Sequence, residues 1–266
     1  MCFGLRLLFP GRNRLTISLI PPPPSATRAP GPTIHPLLID RLRPRVAAER
    51  SLKRAADVGC GAGQSTVALT AIADDVVGLD DSAAMLANAE PHPRVRYLQA
   101  LAEALPLQGG AIDLISAGSA FHWFDRILFL REAARALKPG GWLAIYNDGF
   151  SGQMIGNPAY GEWNKTQYVA RFPTPPRDQR PLADEQAAAA ELVAATKDAF
   201  VHEVPFTAPG LLDYLTTQTN VLAAVAAGRD RIEEATDWLR NAVAPLFSAP
   251  TESFLFRCSY GLYRRT

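Results

Sequence analysis

The chain has 266 residues, 48% of them hydrophobic and 20% charged, room for a large buried core and the composition of a soluble globular protein. Its 27 basic and 26 acidic side chains give a formal net charge of +1, which excludes the basic excess of a polyanion binder, and no apolar run approaches the roughly 20 residues that cross a bilayer. Three cysteines and four histidines, all scattered, supply neither a disulfide framework nor the spacing of metal ligands, so the reading expects no metal and a reducing, cytoplasmic setting.

The charge is unevenly spread. Residues 1–33 hold Arg6, Arg12, Arg14 and Arg28 and no acid, which leaves a net −3 on the remainder. Seven prolines fall in 21–36, with Pro21 to Pro24 in a row, and such a run favours extended polyproline II over packing. The composition predicts a disordered leader over 1–33, of transit-peptide character or upstream of a natural start.

From Ile34 the pattern becomes that of a folded domain, expected over 34–266. Leu37, Leu38, Leu42 and Val46 predict a helix, with Pro44 as a possible kink. Arg54–Val58 predicts a buried strand that ends in Gly59-Cys60-Gly61-Ala62-Gly63, and Ser65–Ala73 a helix directly after the glycines. Asp75–Asp80 reads as a second strand, with Ser82 as N-cap of a helix over 83–89. Val95–Leu98 and Ala111–Ala117 read as further strands. A helix over 124–137 is expected to stop at Lys138-Pro139-Gly140-Gly141, with a strand over 142–146 beyond the turn. Strands alternating with helices predict an α/β doubly wound, mostly parallel sheet. Past Asn147 the alternation stops: an irregular aromatic stretch over 150–182, an Ala-rich helix over 184–197, a strand near 199–204, helices near 209–219 and 229–247, and a closing strand over 253–264.

The chemistry concentrates in Asp57–Gly63. Glycines at 59, 61 and 63 let the backbone turn tightly and approach a ligand, and the amides at the start of the next helix can face an anion. Seventeen residues past Gly63, Asp80 ends the second strand, where a carboxylate can accept both hydroxyls of a ribose.

Asp57–Gly63, Gly78-Leu79-Asp80, Ala102–Pro106, Ile112–Ile115 and Leu137–Gly141 resemble, in order and spacing, the successive motifs of class I S-adenosylmethionine-dependent methyltransferases. Ala120–Asp125 is similar to small-molecule members of the trans-aconitate methyltransferase-like kind. The resemblance covers about 34–146. It implies a Rossmann-like cofactor core over 34–148, a helical substrate-covering insertion and closing segment over 149–266, and S-adenosyl-L-methionine as cofactor. It assigns Asp57, Gly59, Cys60, Gly61 and Gly63 to the methionine part, Asp80 to the ribose, and Asp81, Leu101, Ala102 and Glu103 to the adenine side. Leu101 stands where many relatives carry an aspartate. His122 and Tyr146 are the candidate catalytic residues, His122 as a base or as a packed motif histidine. Trp123 and Phe124 read more as wall than as chemistry, and Tyr160, Trp163, Tyr168 and Phe172 as pocket lining or a packed face. Arg171 and Arg177 are candidates to meet a substrate carboxylate.

The implied function is methyl transfer to a small acceptor, a carboxylate or a hydroxyl, by a monomer or homodimer without nucleic-acid or membrane partners. Two alternatives stand beside it: an NAD(P)-dependent oxidoreductase, which expects G-x-G-x-x-G rather than the G-x-G-x-G present, and a non-catalytic S-adenosylmethionine-binding protein.

Overall fold

The computed structural model describes residues 3–7, 15–19, 34–176, 178 and 180–266. Within the expected leader, β1 (Phe3–Leu7) and β2 (Leu15–Leu19) pair antiparallel, from Phe3 opposite Leu19 to Leu7 opposite Leu15. The proline run lies outside the described residues.

The helix α1 (Ile34–Val46) buries Ile34, Leu38, Ile39, Leu42 and Val46 and contains Pro44 without ending there. β3 (Leu52–Val58) leads through the glycine loop into α2 (Gln64–Leu69), and β4 (Ala73–Asp80) follows. The expected helix over 65–73 is thus shorter, because Ala73 already pairs in the sheet opposite Leu52. α3 (Ala83–Leu86) is also a short turn of helix, capped as expected by Ser82, whose hydroxyl accepts from the Met85 amide. β5 (Val95–Gln99) and β6 (Ile112–Gly118) come next. A 3-10 turn over Phe121–Trp123 then precedes α4 (Arg126–Ala136).

β7 (Leu137–Met154) is far longer than the strand expected over 142–146. α4 ends at Ala136, just before Lys138–Gly141, as expected. Leu137 pairs with Ile112 and Trp142 with Leu114, so the register shifts there and the intervening residues bulge out of the parallel pairing.

α5 (Pro158–Trp163), a π-helical turn over Asn164–Tyr168, α6 (Val169–Arg171) and α7 (Asp184–Ala188) follow. The Ala-rich helix expected over 184–197 is corrected: Glu191 adopts φ 58°, and β8 (Leu192–Phe206) begins immediately. α8 (Ala208–Thr216), α9 (Thr219–Ala226), α10 (Ile232–Val243) and β9 (Glu252–Arg265) complete the chain.

Seven strands form one sheet in the order β5-β4-β3-β6-β7-β9-β8. The pairs β5–β4, β4–β3, β3–β6 and β6–β7 are parallel. The order reverses between β3 and β6, the switch point outside whose carboxyl ends ligands bind in open α/β sheets.

By contact density the chain divides into two units, one comprising Thr33–Asp148, Asp178–Phe200 and Cys258–Thr266, the other Met1–Pro32, Gly149–Arg177 and Val201–Arg257. In the first, Ala55–Val58 and Val76–Leu79 are buried on both sides, the mark of a parallel sheet covered on each face. Ala55, Val76, Leu114 and Ala144 point to a core with α1 and Leu69. The alternate residues Ala56, Val77, Ile115 and Leu143 join Phe129, Leu130 and Ala133 of α4.

The second unit has an aromatic core in which Tyr160, Trp163, Tyr168 and Phe172 are all buried. Tyr160 packs edge-on against Phe254 at 5.0 Å, and Trp163 lies 5.8 Å from Trp238. Of the two readings of these four residues, the packed face is the one the coordinates give. Arg171 is held by Asp230 at 2.8 Å and lies 4.8 Å from the Trp238 ring; Arg177 lies outside the described residues.

The start of α4 is fixed by Asp125, whose carboxylate accepts from the amides of Ile127 and Leu128, both at 3.1 Å. Replacing it by alanine removes an N-cap of ordinary kind, so Asp125→Ala is expected to lower unfolding free energy by about 1 kcal/mol in urea titration.

Candidate cofactor site

The glycine loop is tied to the end of β4 by hydrogen bonds. The Gly59 and Cys60 amides donate to the Leu79 carbonyl at 2.7 and 3.1 Å, and the Gly61 amide donates to Asp80 Oδ2 at 2.8 Å. Asp80 Oδ1 accepts from the Ser82 amide at 2.9 Å. Both Asp80 oxygens keep further lone pairs, so the carboxylate can still accept from a diol. Its burial pushes its pKa up, opposed by the Ser82 and Gly61 amides.

Two of the glycines are required by what lies against them. A Cβ on Gly59, at φ 72°, would stand 2.4 Å from the Ala120 Cβ; one on Gly63, at φ 84°, would stand 2.1 Å from the Tyr97 hydroxyl. Gly63 therefore makes room for Tyr97, whose hydroxyl donates to the Glu90 carbonyl at 2.7 Å. That packing demand sits beside any part Gly63 has in ligand binding, and nothing in the local sequence announces it.

Asp57 is fully buried. Its Oδ2 accepts from the Ser65 hydroxyl at 2.5 Å and the Thr66 hydroxyl at 2.8 Å, both at the start of α2. Its Oδ1 has no hydrogen-bond partner. Burial raises its pKa from 3.8 to about 6, against the hydrogen bonds that favour the charge. Cys60 is buried too, and burial pushes its thiol up to about 12, which makes it an inert wall of the loop rather than a nucleophile.

Of the residues assigned to the adenine side, Leu101 is 52% exposed and Ala102 buried, and Asp81 is exposed with its carbonyl accepting from the Gln99 amide group. Glu103 has a structural task, since its Oε1 accepts from the Asp125 amide at 2.7 Å and so anchors the start of α4. His122, half-buried in the 3-10 turn after β6, rests against Trp123 with ring centroids 4.7 Å apart. Phe124 packs on Phe129 at 4.9 Å. Tyr146 is buried, its hydroxyl 3.2 Å from His35 Nδ1, and burial raises its pKa well above the usual value, so it stays protonated.

A glycine loop, a buried carboxylate with one unpartnered oxygen and a strand-end acid lie together at the carboxyl ends of β3 and β4, the edge at which doubly wound α/β sheets bind ligands. Residues 56–145 match the methyltransferase domain family. Over 123 residues the chain is 38% identical to a Dictyostelium discoideum protein named as a methyltransferase, covering 44% of this chain and 47% of that one. Over 108 residues it is 37% identical to the malonyl-[acyl-carrier protein] O-methyltransferase of Enterobacter lignolyticus, covering 40% and 43%. The chain thus spans just under half the length of these curated relatives. A solved structure described as a type II methyltransferase, from Anaeromyxobacter dehalogenans, superposes with a TM-score of 0.67 at 22% identity, over 86% of this chain and 95% of that one. The fold is that of the class I methyltransferases, and residues 56–145 are similar to the methyltransferase domain family. S-adenosylmethionine is the cofactor of that class, and the open Asp57 Oδ1 together with the diol-competent Asp80 fits it.

The raised pKa of Asp57 has a stability consequence. The folded state binds more protons than the unfolded one between about pH 4 and pH 6, so this group makes stability fall as pH rises through that window. Above it, the cost of the ionised form reaches at most about 3 kcal/mol. Asp57→Asn is therefore expected to raise the urea midpoint at pH 7.5 and to flatten the loss of stability between pH 4 and 6.

Proposed function

We propose that the chain transfers the methyl group of S-adenosylmethionine to a small-molecule acceptor by in-line displacement. The observation that carries this reading is the single arrangement of Asp57, the Gly59–Gly61 turn and Asp80 across the ends of two adjacent parallel strands. When bound, the cofactor supplies an electrophilic methyl group on a sulfonium. The protein's own task is to bind, align and exclude water, aligned reactants about 3 Å apart accounting for much of the rate.

In this reading Asp57 Oδ1 attracts the ammonium of the methionine part, and Gly59–Gly63 lets the chain pass close beneath it. Asp80 accepts the ribose hydroxyls, while Leu101, exposed and apolar, lies against one face of the adenine, with the Ala102 amide at its edge. Glu103 serves indirectly, through the start of α4. His122 is the candidate base for an acceptor hydroxyl. Tyr146, held protonated by burial, is unsuited to take a proton and acts instead as a hydrogen-bonding wall. The acceptor proposed is a carboxylate or a hydroxyl. The similarity to an enzyme named as an O-methyltransferase supports oxygen over nitrogen, and the small-molecule assignment rests on the Ala120–Asp125 motif.

Calorimetry with S-adenosylhomocysteine and with NADH separates this reading from a nicotinamide-dependent oxidoreductase. S-adenosylhomocysteine is expected to bind and NADH not to. Asp80→Ala is expected to weaken S-adenosylhomocysteine at least tenfold, and wild-type affinity is expected to decline below about pH 6 as Asp57 takes up a proton. Unchanged affinity in Asp80→Ala removes the ribose assignment. Turnover across carboxylate and hydroxyl acceptors, with His122→Ala as the control for base catalysis, separates an enzyme from a protein that binds the cofactor only.

A further inference from the structure

Between the end of β5 at Gln99 and the start of β6 at Ile112 the chain forms no helix or strand. A stretch without a ladder must find other partners for its amides and carbonyls. At its near end the Ala100 amide donates to the Asp80 carbonyl at 3.0 Å. At its far end the Gly110 and Ala111 amides donate to the Arg135 and Ala136 carbonyls at 2.9 and 3.0 Å. The middle is held by side chains of α4. The Leu105 amide donates to Glu132 Oε2 at 2.8 Å. Arg135 donates through Nη2 to the Leu105 carbonyl at 2.9 Å and through Nη1 to the Leu107 carbonyl at 2.7 Å.

The two side chains are themselves joined. Arg135 Nε and Nη2 donate to Glu132 Oε1 and Oε2 at 2.7 and 2.8 Å, the forked pairing of a guanidinium with a carboxylate. One turn of α4 thus takes up both backbone groups of Leu105 and the carbonyl of Leu107. An ion pair this exposed adds little stability by itself, so its consequence lies in the segment it holds. That segment carries the residues assigned to the adenine. Leu101 and Ala102 have no polar side-chain atom, and Glu103 Oε1 is spent on the Asp125 amide. Hydrogen bonding to the edge of a base therefore falls to backbone amides, which bind well only where the chain is held in place beforehand.

Resting on the reading of this site as a methyl-donor site, we propose that Glu132 and Arg135 are positioning residues for its adenine side: together they fix residues 101–107 on α4, so that the Ala102 amide and the Leu101 side chain meet the base without being ordered at the moment of binding. Both act through the segment and neither is assigned a contact with the cofactor. Without the fork, the backbone between Glu103 and Gly110 is free to move, and part of the binding free energy goes into ordering it.

Two measurements on the full chain test this. In calorimetry, Arg135→Ala is expected to weaken S-adenosylhomocysteine about tenfold, the cost of ordering roughly one freed residue. Arg135→Lys keeps a positive charge beside Glu132, but one ammonium does not replace a fork that serves a carboxylate and two carbonyls; it is expected to lose at least about threefold. Hydrogen exchange at saturating S-adenosylhomocysteine gives the reading that a general loss of stability does not. In Arg135→Ala, ligand-induced protection is expected to persist in peptides covering 57–63 and 80–82 and to fall in those covering 100–107. Wild-type affinity in either variant overturns the proposal, as does protection that falls equally in all three regions. Should Arg135→Ala not fold, the lysine variant decides by the same two measurements. Wild-type protein that does not bind S-adenosylhomocysteine overturns the methyl-donor reading itself and takes this proposal with it, whereas wild-type binding with unaffected variants overturns this proposal alone.

Discussion

The site depends on one carboxylate buried where a strand ends and a helix begins. Asp57 is the last residue but one of β3, and its Oδ2 is held by the first hydroxyls of α2. That clamp fixes the angle at which the helix leaves the sheet, and with it the path of the five residues between. Burying a charge is costly unless it is paired or hydrogen-bonded, and here only half of the carboxylate is satisfied within the chain. A protein folded for stability alone would place an amide or an apolar residue there. The unspent half is what, in the function proposed above, receives the cofactor's ammonium group.

From that clamp the geometry spreads outward. The loop amides close on Leu79 and Asp80, so β3 and β4 present their ends in register. Glycine is needed at 59 because Ala120 approaches from the turn after β6, and at 63 because Tyr97 of β5 lies across it. Four strand ends thus converge on one loop. Glu103 extends the same scheme by bonding to Asp125 at the start of α4, so the segment after β5 and the helix after β6 are positioned together.

The parallel core was legible in the sequence because its strands are buried on both faces and its breaks are marked by glycine and acid. Asp57, the glycines and Asp80 fell where strand-end chemistry expects them. The misreadings have local causes. Lys138–Gly141 stops the helix as its composition says, but the strand beyond it starts before 142, because Leu137 already pairs with Ile112 of β6. The alanines after Asp184 favour helix by intrinsic propensity, but Leu192-Val193-Ala194 alternates, and pairing in the sheet outweighs the propensity from there on. Tyr97 against Gly63 and His35 against Tyr146 join residues 34 and 111 positions apart, and no periodicity reports such contacts. The aromatic residues at 160–172 show the reverse difficulty, since spacing alone does not distinguish a packed core from the lining of a pocket.

The claim on which the rest turns is that Asp57, the glycine loop and Asp80 act as one cofactor site. Hydrogen-exchange mass spectrometry of the full chain, with and without S-adenosylhomocysteine, measures this most directly. The account predicts added protection in peptides covering 57–63, 80–82 and 100–103 of the methyltransferase domain. Protection confined to other segments, or none at saturating ligand, contradicts it.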